Sequence, residues 1–351
     1  MTVYSLSGAD GIVCPLFVNR GGTPSLEEAR RHGFPTMPDT PFYSQTAPRT
    51  GFRALEGSPA EIFAGTGTAV ALGNFDGVHV GHAELLRRTA EYARESGLVP
   101  VVRTFSSDCK TDRLTSDSER LELFAHYGIK YAVMDDFEKL RIMPAAVYVR
   151  SLLVRDMNCR VAVCGFNHHF GHGAVGTSET LSALMLTSGG RAHVVQPIFR
   201  GGMPISSTRV RAALSDCDTK LTIELLGRPY SAAFEVIHGR QIGRTIGLPT
   251  INQIFPANRH MPGNGVYAGL CEVVPGVYRP SVINIGRRPT VGGDDSVVCE
   301  THILDWSGDL YGRTPRVFFM RYLRPEEKFD SLESLKNRIA LDIAAVRAME
   351  L

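Results

Sequence analysis

Ten residues, Gly73-Asn-Phe-Asp-Gly-Val-His-Val-Gly-His82, place two imidazoles, His79 and His82, beside a turn lined by Gly73, Gly77 and Gly81. Glycines let backbone approach a ligand closely, and the free N–H groups and dipole at a helix start favour an anion. With Asn74, Phe75 and Asp76 filling the turn, the run reads as a site for nucleotide phosphates. Imidazole N–H donors flanking that anion could stabilise charge that builds on an α-phosphate during nucleotidyl transfer, a reaction needing positioning and electrostatics more than covalent help. The bland alternative is a pair of surface histidines on a helix start.

Three further clusters carry chemistry. In Ile205-Ser-Ser-Thr-Arg-Val-Arg211, the Ser207 and Thr208 hydroxyls and the Arg209 and Arg211 guanidiniums crowd a predicted helix start, a good setting for phosphate. Cys164-Gly-Phe-Asn-His-His-Phe-Gly171 follows a predicted strand, where Asn167 could read a polar ligand edge. Its histidines, His168, His169 and His172, are too closely spaced with Cys164 for a recognised zinc pattern. The basic loop from Gly239 through Arg240 and Gly243 to Gly247 could wrap a triphosphate, while Thr250 and Asn252 offer the hard oxygens that Mg²⁺ accepts. Glu300 alternates in a row with Val298, His302, Leu304 and Trp306, which would leave its carboxylate partly desolvated and suited to taking a proton from a hydroxyl. P-loop and protein-kinase motifs are absent, so phosphate chemistry here needs another fold.

The elements needed to position these groups can be read from periodicity and caps. Thr68–Leu72 predicts a strand, a helix follows from 83 until Gly97 closes it, and Val99–Phe105 resumes as strand, a βαβ unit. Ser116 and Glu119 form a capping box before a helix over 121–127, and 130–134 reads as strand. Pro144 suits the first turn of a helix reaching Val154; 160–164 is strand, 177–186 helix, 192–198 extended and 221–226 helix. Gly227 and Pro229 then stop the helix. Such alternation predicts a doubly wound parallel sheet with ligands at the carboxyl ends of its strands. Beyond Ser231 the texture changes to short β-branched runs over 266–271, 281–285, 297–304 and 317–322, then one helix over 331–348, which favours a small antiparallel barrel. Residues 1–67, rich in Gly, Pro, Ser and Thr, predict an irregular extension. The expected organisation is therefore an extension over 1–67, an α/β domain over 68–226 and a barrel domain over 227–351.

The chain's 351 residues, 43% of them hydrophobic, can bury two ordinary cores. Lys and Arg total 38 against 36 acidic residues, and a net charge of +2 gives no electrostatic case for nucleic acid or an anionic membrane. Seven scattered cysteines without a C-x-x-C pair argue for a reducing compartment. No leader pattern or run near the ~20 apolar residues of a membrane span is evident, so a cytoplasmic protein is expected.

Taken in order, GNFDGVHVGH, GFNHHFG, ISSTRVR, GRTIGLPTIN, NGVYAG, NIGRRPT, ETHILDW, GDLYG and LRPEEKFDSLESL resemble the bacterial bifunctional riboflavin kinase/FAD synthetase family from about Thr68 to the C-terminus. The resemblance implies a Rossmann-like nucleotidyltransferase sheet followed by a riboflavin-kinase barrel with a terminal helix. It also implies two successive Mg²⁺-dependent reactions with ATP as co-substrate: riboflavin to FMN in the barrel, then FMN to FAD and pyrophosphate in the first domain. By the same resemblance Thr250 and Asn252 look like Mg-ATP ligands, Glu300 like the base for the ribityl 5′-hydroxyl, and Arg324 and Phe329 like flavin contacts. His79 and His82 match the imidazoles around the ATP phosphates, Asn167 a flavin-side or phosphate-side contact, and Ser207, Thr208 and Arg211 the second phosphate motif. The expected partners are riboflavin, FMN, FAD and ATP, in a monomer or weak homo-oligomer.

Two positions depart from the pattern. Ile251 stands where the family has Ala, and the run from Thr104 to Lys110 replaces a Thr-Phe-x-Pro-His-Pro turn, placing Asp108 where phosphates would be repelled. The second departure supports an alternative, a riboflavin kinase whose first domain is weakened or only binds FMN or ATP. A flavin-binding regulator without turnover, and another H-x-G-H transferase, are further alternatives; Glu300 argues against the former and the barrel against the latter.

Overall fold

Where strand and helix signals alternate, the chain builds a parallel sheet. The strands are β1 (Thr2–Ser5), β2 (Arg53–Leu55), β3 (Thr68–Leu72), β4 (Val99–Phe105), β5 (Tyr131–Asp135), β6 (Cys159–Gly165) and β7 (Arg191–Val195), in the order β2-β1-β5-β4-β3-β6-β7. From β5 to β7 neighbouring pairs are parallel, as expected. The computed structural model describes residues 1–6, 52–106, 112–239, 243, 247–289 and 295–349, and these divide into two units, 1–6 with 52–207, and 208 onward. Arg240 and most of the 104–110 turn, Asp108 included, lie outside the described residues.

β3 sits mid-sheet with all five residues buried, and the sheet packs apolar side chains on both faces, Leu86 and Phe124 on one, Leu153 and Met157 on the other. Burial on both faces is why its strands read as apolar runs rather than alternating ones. Local signals act as expected at the helix ends. Gly97, at φ 63, closes the helix Val80–Ser96, and Ser116 and Glu119 form the reciprocal cap of the helix Asp117–His126.

The expectation of an irregular extension over 1–67 needs correction at its ends. β1 pairs antiparallel with β5 and with β2, covering the sheet edge, and the helix Pro59–Ile62 carries a Ser58/Glu61 capping box. Strands of three or four residues are too short to show a period, and their order comes from the partner edge. The helix expected from Pro144 is Ala145–Val147 continued by a π-helix, Tyr148–Arg155, with Pro144 as its N-cap. The wider turns show in the Asp156 N–H, which donates to the Ser151 carbonyl at 2.9 Å. After β7 the chain adds a hairpin, β8 (Phe199–Arg200) and β9 (Met203–Pro204), whose turn uses Gly201 and Gly202 at positive φ.

In the second unit, β10 (Tyr230–Ala233), β11 (Val236–Ile237), β12 (Ile251–Ile254), β13 (Gly265–Val274), β14 (Val277–Pro289), β15 (Asp295–Ile303) and β16 (Arg316–Arg324) form one sheet in the order β10-β16-β13-β14-β15-β12-β11. Every pair is antiparallel, giving a curled half-barrel with the helix Leu332–Ala348 against it. Val346, 1% exposed, anchors that helix on Val266, Ala268 and Val282. The helix Thr219–Leu226, expected to close the first domain, groups with this sheet; the Tyr322 N–H donates to the Thr219 hydroxyl at 3.3 Å. Among the described residues no helix is long and apolar enough to cross a membrane.

Candidate functional sites

In the first unit, β3 ends at Leu72 and the chain turns sharply before the helix Val80–Ser96. Gly77 stands at φ 79, and a Cβ there would meet Leu114 Cδ1 at 2.7 Å, so any other residue would have to displace the Leu114 side chain. The Asp76 carboxylate is fully buried, accepting the N–H groups of Leu114 at 3.0 Å and Thr115 at 3.2 Å. It therefore clips the turn to the next loop from below. Phe75 is likewise buried, its ring 5.2 Å from His82 and 5.5 Å from Phe124.

His79 caps the helix: its Nδ1 accepts the His82 N–H at 3.2 Å. The two imidazoles stack 3.7 Å apart and 14° from parallel, rather than standing on opposite sides of a ligand. Burial, then the neighbouring His79 and Arg120, holds the His82 pKa well below the usual histidine range, so the ring is neutral near pH 7. A neutral imidazole still donates one N–H, and the first N–H groups of the helix lack intrahelical acceptors. Gly81 permits the stack, since a Cβ there would lie 3.2 Å from the His79 ring. The Ser207 hydroxyl, at the end of the first unit, donates to the Asp76 carbonyl of the turn at 2.8 Å. Thr208 and Arg211 continue on the same helix, Ser207–Ser215, in the second unit.

Above the ends of β3, β4 and β5 opens a pocket of about 1210 Å³, solvent at its mouth included, lined by Gly73, Asn74, Arg103, Asp135, Tyr148 and His168 among others. Sequence reasoning missed three of its supports. Arg103, 3% exposed, grips Asp135 with Nε at 2.7 Å and Nη2 at 3.0 Å. Burial raises the Asp135 pKa, against the pull of Arg103. Arg120, fully buried, donates to the Asn74 carbonyl at 2.9 Å and the Phe105 carbonyl at 2.7 Å, binding both loops together. In sequence these are only charges inside apolar segments, which was the one available signal. Asn167 is exposed, while its neighbours His168 and His169 line the pocket.

The second unit assembles its site by strand register. Asn252 on β12 lies opposite Glu300 on β15, and Glu300 opposite Asn284 on β14, three polar residues in one row. That row lines a pocket of about 1070 Å³ together with Gly243, Thr250, Arg324 and Phe329. Glu300 is half-buried there. A second pocket, about 1200 Å³, is lined by Trp306, Asp309 and Tyr311 and shares Thr250 and Asn252 with the first. Thr250 and Asn252 thus border both spaces.

Asn252 Oδ1 is buried and has no hydrogen-bond partner within the protein. Gly239 allows its position, because a Cβ there would come within 2.6 Å of the Asn252 amide. Arg324, 8% exposed, holds Asp342 through Nε at 3.0 Å and Nη2 at 2.8 Å, with its guanidinium 6.0 Å over the Phe329 ring. Of the residues singled out in this half of the sequence, Gly243, Thr250, Asn252, Glu300, Arg324 and Phe329 line one pocket, and Gly239 packs beside Asn252.

A riboflavin kinase family model matches residues 226–350 and a FAD synthetase family model matches residues 63–209. The chain is 36% identical over 291 residues to the bifunctional riboflavin kinase/FMN adenylyltransferase of Pseudomonas fluorescens, covering 81% of this chain and 93% of the relative. The protein of the same description from Escherichia coli K12 is 35% identical, with 85% and 96% covered. Among solved structures, one described as a macrolide-efflux protein from Streptococcus pneumoniae superposes with a TM-score of 0.75 at 29% identity, covering 83% of this chain and 97% of that one.

Proposed function

The chain belongs to the bifunctional riboflavin kinase/FMN adenylyltransferase family, and from that membership we propose how its own residues divide the two reactions. It converts riboflavin and ATP to FMN, then FMN and ATP to FAD and pyrophosphate. The kinase is assigned to 227–351 and the adenylyltransferase to 68–226.

The observation that carries the kinase reading is the meeting of two pockets at Thr250 and Asn252, with Glu300 on one side only. Riboflavin fills the side bearing Glu300, Arg324 and Phe329, and the nucleotide fills the other. Glu300 takes the proton of the ribityl 5′-hydroxyl as its oxygen bonds to the γ-phosphorus, and ADP leaves. The unmatched Asn252 Oδ1 and the Thr250 hydroxyl are hard donors of the kind a Mg²⁺ ion prefers, and their place suits it. Bound there, Mg²⁺ would neutralise phosphate charge.

In the adenylyltransferase, the turn from Gly73 to Gly81 and the helix start behind it hold the ATP phosphates. His79 and His82 act as N–H donors to the charge on the α-phosphate oxygens as an FMN phosphate oxygen displaces pyrophosphate. The second phosphate motif follows β7, so ATP takes that side, and the pocket above β4 and β5 is left for the flavin. A cytoplasmic location and a monomer or weak homo-oligomer complete the proposal; the five described cysteines are free thiols, which suits a reducing compartment.

Incubating the pure protein with riboflavin, ATP and Mg²⁺ and separating the flavins by chromatography tests the reading. FMN should appear first and FAD after it. Absence of FMN refutes the kinase assignment, and FMN that never proceeds to FAD refutes the adenylyltransferase assignment.

A further inference from the structure

The ladder between β12 and β15 starts at the pair Ile251 and Thr301, one step past Thr250. Pro249, which has no N–H, does not extend it. Its carbonyl is taken up by a side chain instead: His302 Nδ1 lies 2.8 Å from the Pro249 oxygen. A carbonyl only accepts, so this bond puts a proton on Nδ1.

His302 follows Glu300 by two positions on β15, so the two side chains share a face, and both line the pocket assigned to riboflavin. From that face the half-buried imidazole reaches the residue immediately before Thr250. A step further back, the Leu248 N–H donates to the Gly243 carbonyl at 2.7 Å, and a Cβ at Gly243 would come within 2.3 Å of the Leu248 oxygen. Thr250 is therefore fixed on both sides. The ladder holds Ile251, and His302 holds Pro249.

We propose that His302 is a positioning residue of the kinase, acting through the Pro249 carbonyl to hold Thr250 in place for Mg²⁺ and the nucleotide. Groups that orient a metal's ligands are commonly worth about ten- to a hundredfold in metal affinity. The inference rests on the assignment of Thr250 to Mg-ATP.

Two readouts on the full-length chain test it. The first is the sum of FMN and FAD formed from riboflavin, with Mg²⁺ titrated at fixed ATP. The second needs no turnover: Trp306, the one tryptophan of the chain, lines the pocket assigned to the nucleotide, so its fluorescence follows ADP binding with and without Mg²⁺ in the absence of riboflavin. His302→Phe keeps a ring without a donor, and His302→Leu takes its place should the Phe variant fail to fold. Both should raise the half-saturating Mg²⁺ concentration about tenfold and weaken ADP binding by a similar factor only when Mg²⁺ is present, with the KM for riboflavin within about twofold. Asn carries its amide nitrogen as many bonds from Cα as Nδ1, and Gln carries it one bond further. His302→Asn should therefore return to within about threefold of the parent, and His302→Gln should not. Unchanged Mg²⁺ dependence in the apolar variants, a rise confined to the KM for riboflavin, or Asn no better than Gln overturns the inference while leaving the kinase assignment intact. A parent chain that forms no FMN overturns that assignment and the inference together.

Discussion

Glu300 and Asn252 are register partners on the adjacent strands β15 and β12, and the tasks proposed for their side chains are separable. Replacing Glu300 with Gln keeps the shape but removes the base; FMN formation should fall about 10²- to 10⁴-fold with the KM for ATP little changed, and unchanged turnover would remove Glu300 from the mechanism. Asn252→Ala should instead raise the Mg²⁺ concentration giving half-maximal rate, read from a magnesium titration at fixed ATP. His168 adds a stability signature. Unfolded, it binds a proton near pH 6.5, but folded only near pH 4, so between those values the unfolded state holds more protons and stability is lost as pH falls. Thermal midpoints from pH 7 to pH 4 should drop less steeply in His168→Phe than in the parent; parallel curves would show that the ring is not buried neutral.

At the scale of elements, the turn after β3 is held by backbone that tolerates little change. Gly77→Ala would combine a positive φ with a 2.7 Å approach to Leu114, at a cost of about 1–3 kcal/mol beyond that of an open site. Gly97→Ala is the matching control, since φ is also positive but no atom lies within 4 Å. Urea midpoints should separate the two variants, and equal losses would mean that Leu114 simply moves aside. The turn and its glycines were legible in the sequence because β3, the helix start and the Gly97 stop are local features. Strand β1 was not legible: four residues gain their order from β5, more than a hundred positions away.

Across the whole molecule the FAD synthetase and riboflavin kinase family matches fall almost wholly in separate units, so under the proposed division each reaction should survive loss of the other. His82→Ala should abolish FAD formation while leaving FMN formation from riboflavin intact, and Glu300→Gln should do the reverse with FMN supplied. Mixing the two variants with riboflavin and ATP should restore FAD with a lag while FMN accumulates. A mixture that yields FMN alone would mean the product passes only within one chain.

Alone, the sequence determined what depends on near neighbours: the glycine-lined turn, helix caps and stops, and the change from a parallel sheet to a barrel. The resemblance carried by its motifs also put Glu300 with Thr250 and Asn252, which strand alternation alone did not. Tertiary structure alone decided the stacked, neutral imidazoles, the Arg103 and Asp135 pair, the role of Arg120 and the unmatched nitrogen of His168. A charge inside an apolar strand reads the same whatever it meets, and the pKa of a histidine depends on burial created by segments far along the chain. Those properties exist only once the strands have chosen their neighbours.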